Sequence, residues 1–531
     1  MTQRRSRLLL IFCTVLFIGQ RYECAAEGLD AESNSTSKTH HWAEIRAVDS
    51  ATGAGVPLVE FETVNGLIFV TDNAGRVAFH EPGLMGREIY LSVRSHGYEP
   101  DKDGFGFSGV RITPHVDKPV EIKLHRKIVA ERLCRLTGEG LYRDSLLLGH
   151  KVPFSTSPAR GMVAGQDSIQ AAIYRDKVYC FWGDTSRMEY PLGLFRTAGA
   201  TLAWSASNET QIDPSAGLPY DYFTNPQTGF ARAVIPIADR PEGVVWVVGL
   251  FVVPDDHNVD RLVCHYSRRK GLADELEQGI AVFSDDKSIF ELAQQLPLDE
   301  VWRRPSGHPI NDTDNGQKYL LFGSPNPNVR VPATLSAVLD PSQYEAFTCV
   351  KDGSKGKSEE LDLAADGQPK WRWQKTLPPV ESKTERRWIK EKRLKPEFAR
   401  FLPADASSFA DRIELHSGTV RWNSFRQRWV LVACQIEGKS SHLGEVWYAE
   451  SKTPTGPFTK AIKIVTHDRQ TFYNVCQHAW LDRADGRIIH FEGTYTNDFS
   501  GNPYKTPRYN YNQVLYRLDL AAEVLKPAHD E

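Results

Sequence analysis

The feature that most constrains this chain is a recurring segment. A short polar stretch leads into an apolar, aromatic-rich run that closes on a small or acidic residue. Gly165-Gln166-Asp167-Ser168 precedes the run from Tyr174 to Asp184. His308-Pro309 precedes Gln317 to Gly323, the stretch from His416 to Trp422 precedes Gln427 to Ala433, and Gln477-His478 precedes Asp485 to Gly493. Each copy reads as a strand pair joined by a charged or Gly-containing turn. Recurrence at intervals of tens of residues predicts the blades of a β-propeller, five by this parse. Blade-start residues crowd a propeller's central funnel. Asp167, His308, His416 and His478 are therefore expected to meet near the axis.

Around this repeat the chain divides into segments. Arg4, Arg5 and Arg7 precede an apolar run from Leu8 to Ile18, and Cys24-Ala25-Ala26 offers a small-residue cleavage site. The run is too short for a comfortable membrane span, so residues 1–26 read as a secretory signal and the mature protein as secreted or periplasmic, without membrane insertion. Residues 27–41 are polar and read as a linker. Residues 42–126 hold short alternating strands separated by turn signals, the pattern of a small β-sandwich. The all-β propeller is expected over residues 127–522, followed by a tail at 523–531. Asp274–Gln278 and Ile289–Leu298 read as short helices. Residues 351–400 are polar and highly charged, and read as a surface insertion between blades.

Charge and cysteine content narrow the function classes. The formal net charge of −3 gives no polyanion-binding field, so a nucleic-acid partner is not expected. Six of the eight cysteines lie beyond the signal. Cys180, Cys264 and Cys434 fall inside apolar runs, where a thiol packs as a small hydrophobe. No pair has zinc-ligand spacing, so mostly free core cysteines are expected, with one or two disulfides at most.

Two resemblances follow from quoted motifs. Asp49 with Thr52-Gly53 and Val56-Pro57, then Thr71-Asp72 with Gly75, then His96-Gly97-Tyr98, resemble the carboxypeptidase regulatory-like (transthyretin-like) domains. This implies an accessory module without chemistry of its own. Asp167-Ser168 with the run through Trp182-Gly183, and the strands at Gly279–Asp286 and Gly444–Ser451 with Thr455-Gly456-Pro457-Phe458, resemble the five-bladed propeller glycoside hydrolases of the arabinanase and β-xylosidase type. That resemblance implies a hydrolase of plant or algal-type polysaccharide with its pocket at the propeller mouth. Only Asp167 carries over from the family's carboxylates. The other two positions fall at His308-Pro309 and His416-Ser417-Gly418.

Glycoside hydrolysis needs two carboxyl groups, one to protonate the leaving oxygen and one to activate water or attack. Asp167 is the candidate base. Glu492, closing an apolar strand near His478, is the first candidate acid, and Glu445 the second. His478 could itself act as acid or base. His308, His416, Trp182, Asp184, Arg508, Tyr509 and Tyr511 are the candidate substrate contacts, with Asp184 also readable as a turn residue. No residue is assigned as a metal ligand, although the three histidines with Asp167 could hold a divalent ion. Two alternatives stay open: a polysaccharide lyase or metal-dependent enzyme on the same fold, with Tyr509 or Tyr511 as the acid, and a glycan-binding protein without turnover.

Overall fold

The computed structural model describes residues 41–153, 161–188, 196–204, 212–354, 359–408, 412–506, 508 and 510–529. The expected signal and all but the end of the expected linker lie outside the described residues. The structure is mostly β with few helices.

Residues 43–126 form two four-stranded sheets. One contains Ala43–Asp49, Arg76–Phe79, Tyr98–Glu99 and Val120–Arg126, and the other Glu60–Thr63, Ile68–Val70, Ile89–Arg94 and Gly109–Ile112. Alternating residues turn inward from both sheets. Ile45, Phe61, Phe79, Leu91 and Leu124 share one core, each fully buried. Burying a side chain of this size contributes about 1.5–3 kcal/mol. Two of the quoted motifs, Thr71–Gly75 and His96–Tyr98, contact the chain beyond residue 126. The Asn73 amide exchanges two 2.9 Å hydrogen bonds with the backbone of Arg135. Asp72 Oδ2 accepts from Ser145 N at 2.7 Å, and Tyr98 Oη accepts from Arg132 N at 3.2 Å.

Beyond residue 126 the chain folds into successive, mostly antiparallel sheets. Gln170–Tyr174, Lys177–Trp182, Ala198–Ala203 and Asp221–Tyr222 form the first. The second runs from Val244–Pro254 to Ile289–Leu296 and the third from Ile310–Asp314 to Arg372–Gln374. The fourth has Leu415–Asn423 at one edge. In the last sheet, Thr471–Gln477, Ile488–Thr496 and Asn512–Asp519 are joined by Glu131–Arg135 from the start of this region. Leu515 pairs with Cys134 there, so the two ends of the region share one hydrogen-bonded ladder. Arg135 is tolerated in this buried strand because its guanidinium donates to the carbonyls of Thr137 and Glu139, both at 2.6 Å.

Two expectations need correction. The stretches expected to be helices are strands, Asp274–Ser284 and Ile289–Leu296. Their carboxylates are consumed across the sheet: Glu277 accepts from Tyr266 Oη at 2.8 Å and from Arg268 Nε at 3.1 Å. Such cross-strand pairs override local propensity. The segment 351–400 is also more than a surface excursion. Arg372–Gln374 adds a strand to the third sheet, and the helix Ser382–Lys390 buries Trp388 and Glu385. Glu385 is held by the backbone N–H groups of Arg400 and Phe401 at 2.7 and 2.8 Å. All six cysteines in the described residues are free and buried, so none forms a disulfide.

Candidate active site

The short ladder between Val163–Gln166 and Thr185–Arg187 builds the site. Gln166 pairs with Thr185, which brings Asp167 and Asp184 together at the ladder's end. Asp167 N donates to Asp184 O at 3.2 Å, and Asp184 N donates to Asp167 Oδ1 at 2.8 Å. The intervening Gly183 makes this approach feasible. A Cβ there would lie 2.7 Å from Asp167 Oδ1. Gly183→Ala is therefore expected to push the carboxylate aside and lower kcat/KM by roughly 10²-fold, as a misplacement of about 1 Å typically does. Steady-state kinetics beside a thermal melt would check it.

Neighbouring strands complete the carboxyl pair. Tyr473 Oη donates to Asp167 Oδ2 at 2.9 Å, and Trp246 Nε1 donates to Asp184 Oδ1 at 2.6 Å. The Tyr511 side chain lines the same cavity as both carboxyls. Burial raises the pKa of Asp167 against the pull of these donors. Burial and then the Asp167 charge push Asp184 up to about 7. Two neighbouring like charges out of bulk water disfavour ionisation of both carboxyls at once. The same surroundings hold the Tyr473 and Tyr511 phenols protonated, burial being the main cause.

The pair lies in a cavity of about 520 Å³, whose wall includes Trp246, Leu272, Asn474 and Phe499. Four lining residues hold left-handed backbones: Ser168 at φ 56°, Asn474 at 51°, Phe499 at 60° and Tyr511 at 62°. Such conformations cost energy in non-glycine residues and persist where the surroundings fix them. The Asn474 amide does this in part, donating to Ser168 Oγ while its own Oδ1 accepts from Ser417 Oγ at 3.2 Å.

Asp167, Asp184 and Tyr511 thus share one cavity, and the other candidates lie apart from it. His308 Nδ1 is 3.6 Å from Cys476 Sγ. Burial and the nearby Arg421 lower its pKa to about 3, leaving the ring neutral. His416 is exposed and lies 3.1 Å from Ser417 Oγ. His478 meets Glu492 at 3.1 Å in the interior, the two residues 2% and 0% exposed. Glu445 is engaged by Lys463 Nζ at 2.7 Å. Trp182 is fully buried in the core with Val178, Cys180 and Leu515. Arg508 reaches Asp144 Oδ2 at 3.4 Å. Tyr509 lies outside the described residues. The expected cluster of Asp167 with three histidines therefore does not form, because each ring is taken up by different neighbours. Among the described residues no three His, Cys, Asp or Glu side chains come together as a metal cage.

Glu492 occupies the position of a buried structural carboxylate. Disturbing one member of a buried polar contact typically costs about 1–3 kcal/mol. Glu492→Gln is expected to lose stability of that order in urea unfolding, with activity falling only as folded protein is lost.

Tyr473, Trp246 and Asn474 are site residues that the sequence reading missed. Tyr473 and Asn474 stand a few residues before Gln477-His478, where the sequence repeat begins. An Asn inside the apolar run from Phe472 to Cys476 is the signal that could have revealed them.

No protein-family model matches this chain, and no curated protein matches it. Among solved structures it is similar to a thermostable family-43 glycoside hydrolase at 11% identity, covering 68% of this chain and 92% of that one, with a TM-score of 0.31. It is similar to an exo-1,5-α-L-arabinanase from a bovine ruminal metagenomic library at 11% identity, covering 68% and 95%, with a TM-score of 0.32. An N-acetylgalactosamine deacetylase from F. plautii, in complex with blood group B trisaccharide, is 9% identical, with 75% and 98% covered and a TM-score of 0.35. At these identities and scores the likeness assigns no chemistry to this chain, which rests on the side chains described above.

Proposed function

We propose that this protein is an exported glycoside hydrolase of plant or algal-type polysaccharide, and that Asp167 and Asp184 are its catalytic pair. In this reading residues 127–522 form a five-bladed propeller with the cavity at its mouth, and residues 42–126 are a carboxypeptidase regulatory-like sandwich. The observation that carries the proposal is the coupled carboxyl pair in an aromatic-walled cavity. Asp184, with a pKa of about 7, keeps a proton at neutral pH and can give it to the leaving glycosidic oxygen. Asp167, held by the Tyr473 phenol and the Asp184 N–H, supplies the carboxylate that activates water or attacks the anomeric carbon. Phe499 and Leu272 are exposed apolar residues at the cavity, suited to the apolar face of a sugar ring.

Release of reducing ends from arabinan, galactan and xylan, by the parent protein and by Asp167→Asn, tests the proposal. Release by the parent alone supports it. Glycan binding without release by either protein supports a binding protein instead. Unsaturated products would mark a lyase. Loss of all activity on chelation would support a metal-dependent enzyme.

A further inference from the structure

Two edge strands from different sheets are tied together at the carboxyl site. Leu415–Asn423 lies at the edge of the fourth sheet and Thr471–Gln477 at the edge of the last. Gln477 N donates to Thr419 Oγ1 at 3.1 Å between them. Each strand carries an irregularity. The first shifts register between Leu415 and Ser417, and the second between Tyr473 and Cys476. Bulges of this kind re-aim side chains beside active sites. In the second, Asn474 stands at φ 51° next to Tyr473, whose phenol donates to Asp167 Oδ2. The Asn474 amide has both ends engaged. Its Nδ2 donates to Ser168 Oγ, on the residue that follows Asp167, and its Oδ1 accepts from Ser417 Oγ at 3.2 Å. The Ser417 hydroxyl has one proton, and Asn474 takes it. Ser417 Oγ therefore accepts from its other neighbours, His416 Nδ1 at 3.1 Å and Cys434 Sγ at 3.2 Å. This arrangement requires a proton on His416 Nδ1.

We propose that Ser417 and His416 are positioning residues for the Asp167 carboxylate, acting through Asn474 and not through contact with the sugar. This rests on the hydrolase reading, since Asp167 is the group positioned. The hydrogen bonds run one way, from His416 Nδ1–H to the Ser417 hydroxyl, from that hydroxyl to Asn474 Oδ1, and from the Asn474 amide to Ser168. A left-handed asparagine within a strand is strained and persists only where its surroundings fix it. The Ser417 hydroxyl supplies that restraint. Without it, Asn474 Oδ1 loses its donor and the amide turns. Tyr473 and Ser168, which flank Asp167 in space and in sequence, then shift with it.

Steady-state kinetics on the polysaccharide that the parent cleaves test this, with Ser417→Ala, His416→Gln and His416→Asn made in the full chain. Ser417→Ala should lower kcat roughly 10- to 100-fold, as misplacement of a reacting group does, with KM nearly unchanged. The His416 variants isolate the Nδ1 proton. An asparagine amide can place its N–H where Nδ1 stood, whereas a glutamine amide reaches the place of Nε2. His416→Asn should therefore keep most of the parent kcat, and His416→Gln should lose roughly three- to tenfold, the worth of one hydrogen bond. His416 is exposed, so both variants are expected to fold, and a melting curve for each checks it. Parent kcat in folded Ser417→Ala, equal effects of the His416 variants, or a rise in KM alone overturns the positioning role. A crystal structure of Ser417→Ala reads the same role without turnover. The Asn474 amide should be turned away from Ser168, and the Tyr473 phenol displaced from Asp167. If the parent releases no sugar, the hydrolase reading fails and this structure alone decides: an unmoved Asn474 overturns the proposal, and a turned one leaves Ser417 as the residue that sets the cavity's geometry.

Discussion

Asp167→Asn is expected to lower turnover by at least about 10²-fold while leaving the fold intact. The change keeps the volume and removes only the charge. Loss of a positioned acid or base typically costs about 10²–10⁴ in rate. The backbone bond from Asp184 N can still be accepted by the amide oxygen, so the ladder that positions the loop survives. Initial rates measured beside circular dichroism and a thermal melt would check this. Wild-type turnover by a correctly folded variant would remove Asp167 from the mechanism.

The second large effect concerns pH. The folded-state pKa of Asp184, about 7, lies above its ordinary value of 3.8. Between those values the folded chain keeps a proton that the unfolded chain has released. Stability from this group is therefore fully present below about pH 4 and is lost as pH rises towards 7. Asp184→Asn removes the conflict with Asp167 and should be more stable than the parent at pH 8, by roughly 1–3 kcal/mol after allowance for solvent at the cavity. Activity should move the other way. If Asp184 is the acid, parent kcat should fall about tenfold per pH unit above 7, and Asp184→Asn should be nearly inactive throughout. Denaturant titrations and rate profiles from pH 4 to 9 would read both effects. A parent rate that is flat through pH 7 to 9 would argue against Asp184 as the proton donor.

The sequence made the strands legible and the site only partly so. Apolar runs such as Val178 to Trp182 and Arg428 to Gln435 are strands because their side chains are buried between sheets, and periodicity reports that burial. The second sheet was less legible, since two of its strands, Asp274–Ser284 and Ile289–Leu296, carry charged residues that read as helical. The strand Glu131–Arg135 was harder to place, since two arginines and a glutamate in five residues look solvent-facing. Backbone carbonyls and Arg517 make their burial feasible, and those partners come from distant parts of the chain. Asp167 is marked by its place at the opening of a strand pair, whereas Asp184 after Trp182-Gly183 has the sequence character of a turn residue. Their pairing depends on a ladder between Gln166 and Thr185 and on the absence of a side chain at Gly183, neither of which a linear motif displays. Glu492 and His478 looked catalytic because they combine charge with an apolar strand. That combination equally describes a buried pair, and the structure has them 3.1 Å apart in the interior.

The most direct measurement of the central claim is a crystal structure of Asp167→Asn soaked with an oligosaccharide released from the cleaved polysaccharide. The account predicts a sugar ring against Trp246 and Phe499, with its glycosidic oxygen within hydrogen-bond distance of the Asp184 carboxyl. A sugar seated away from residues 167 and 184, or against the His478–Glu492 pair, would contradict it.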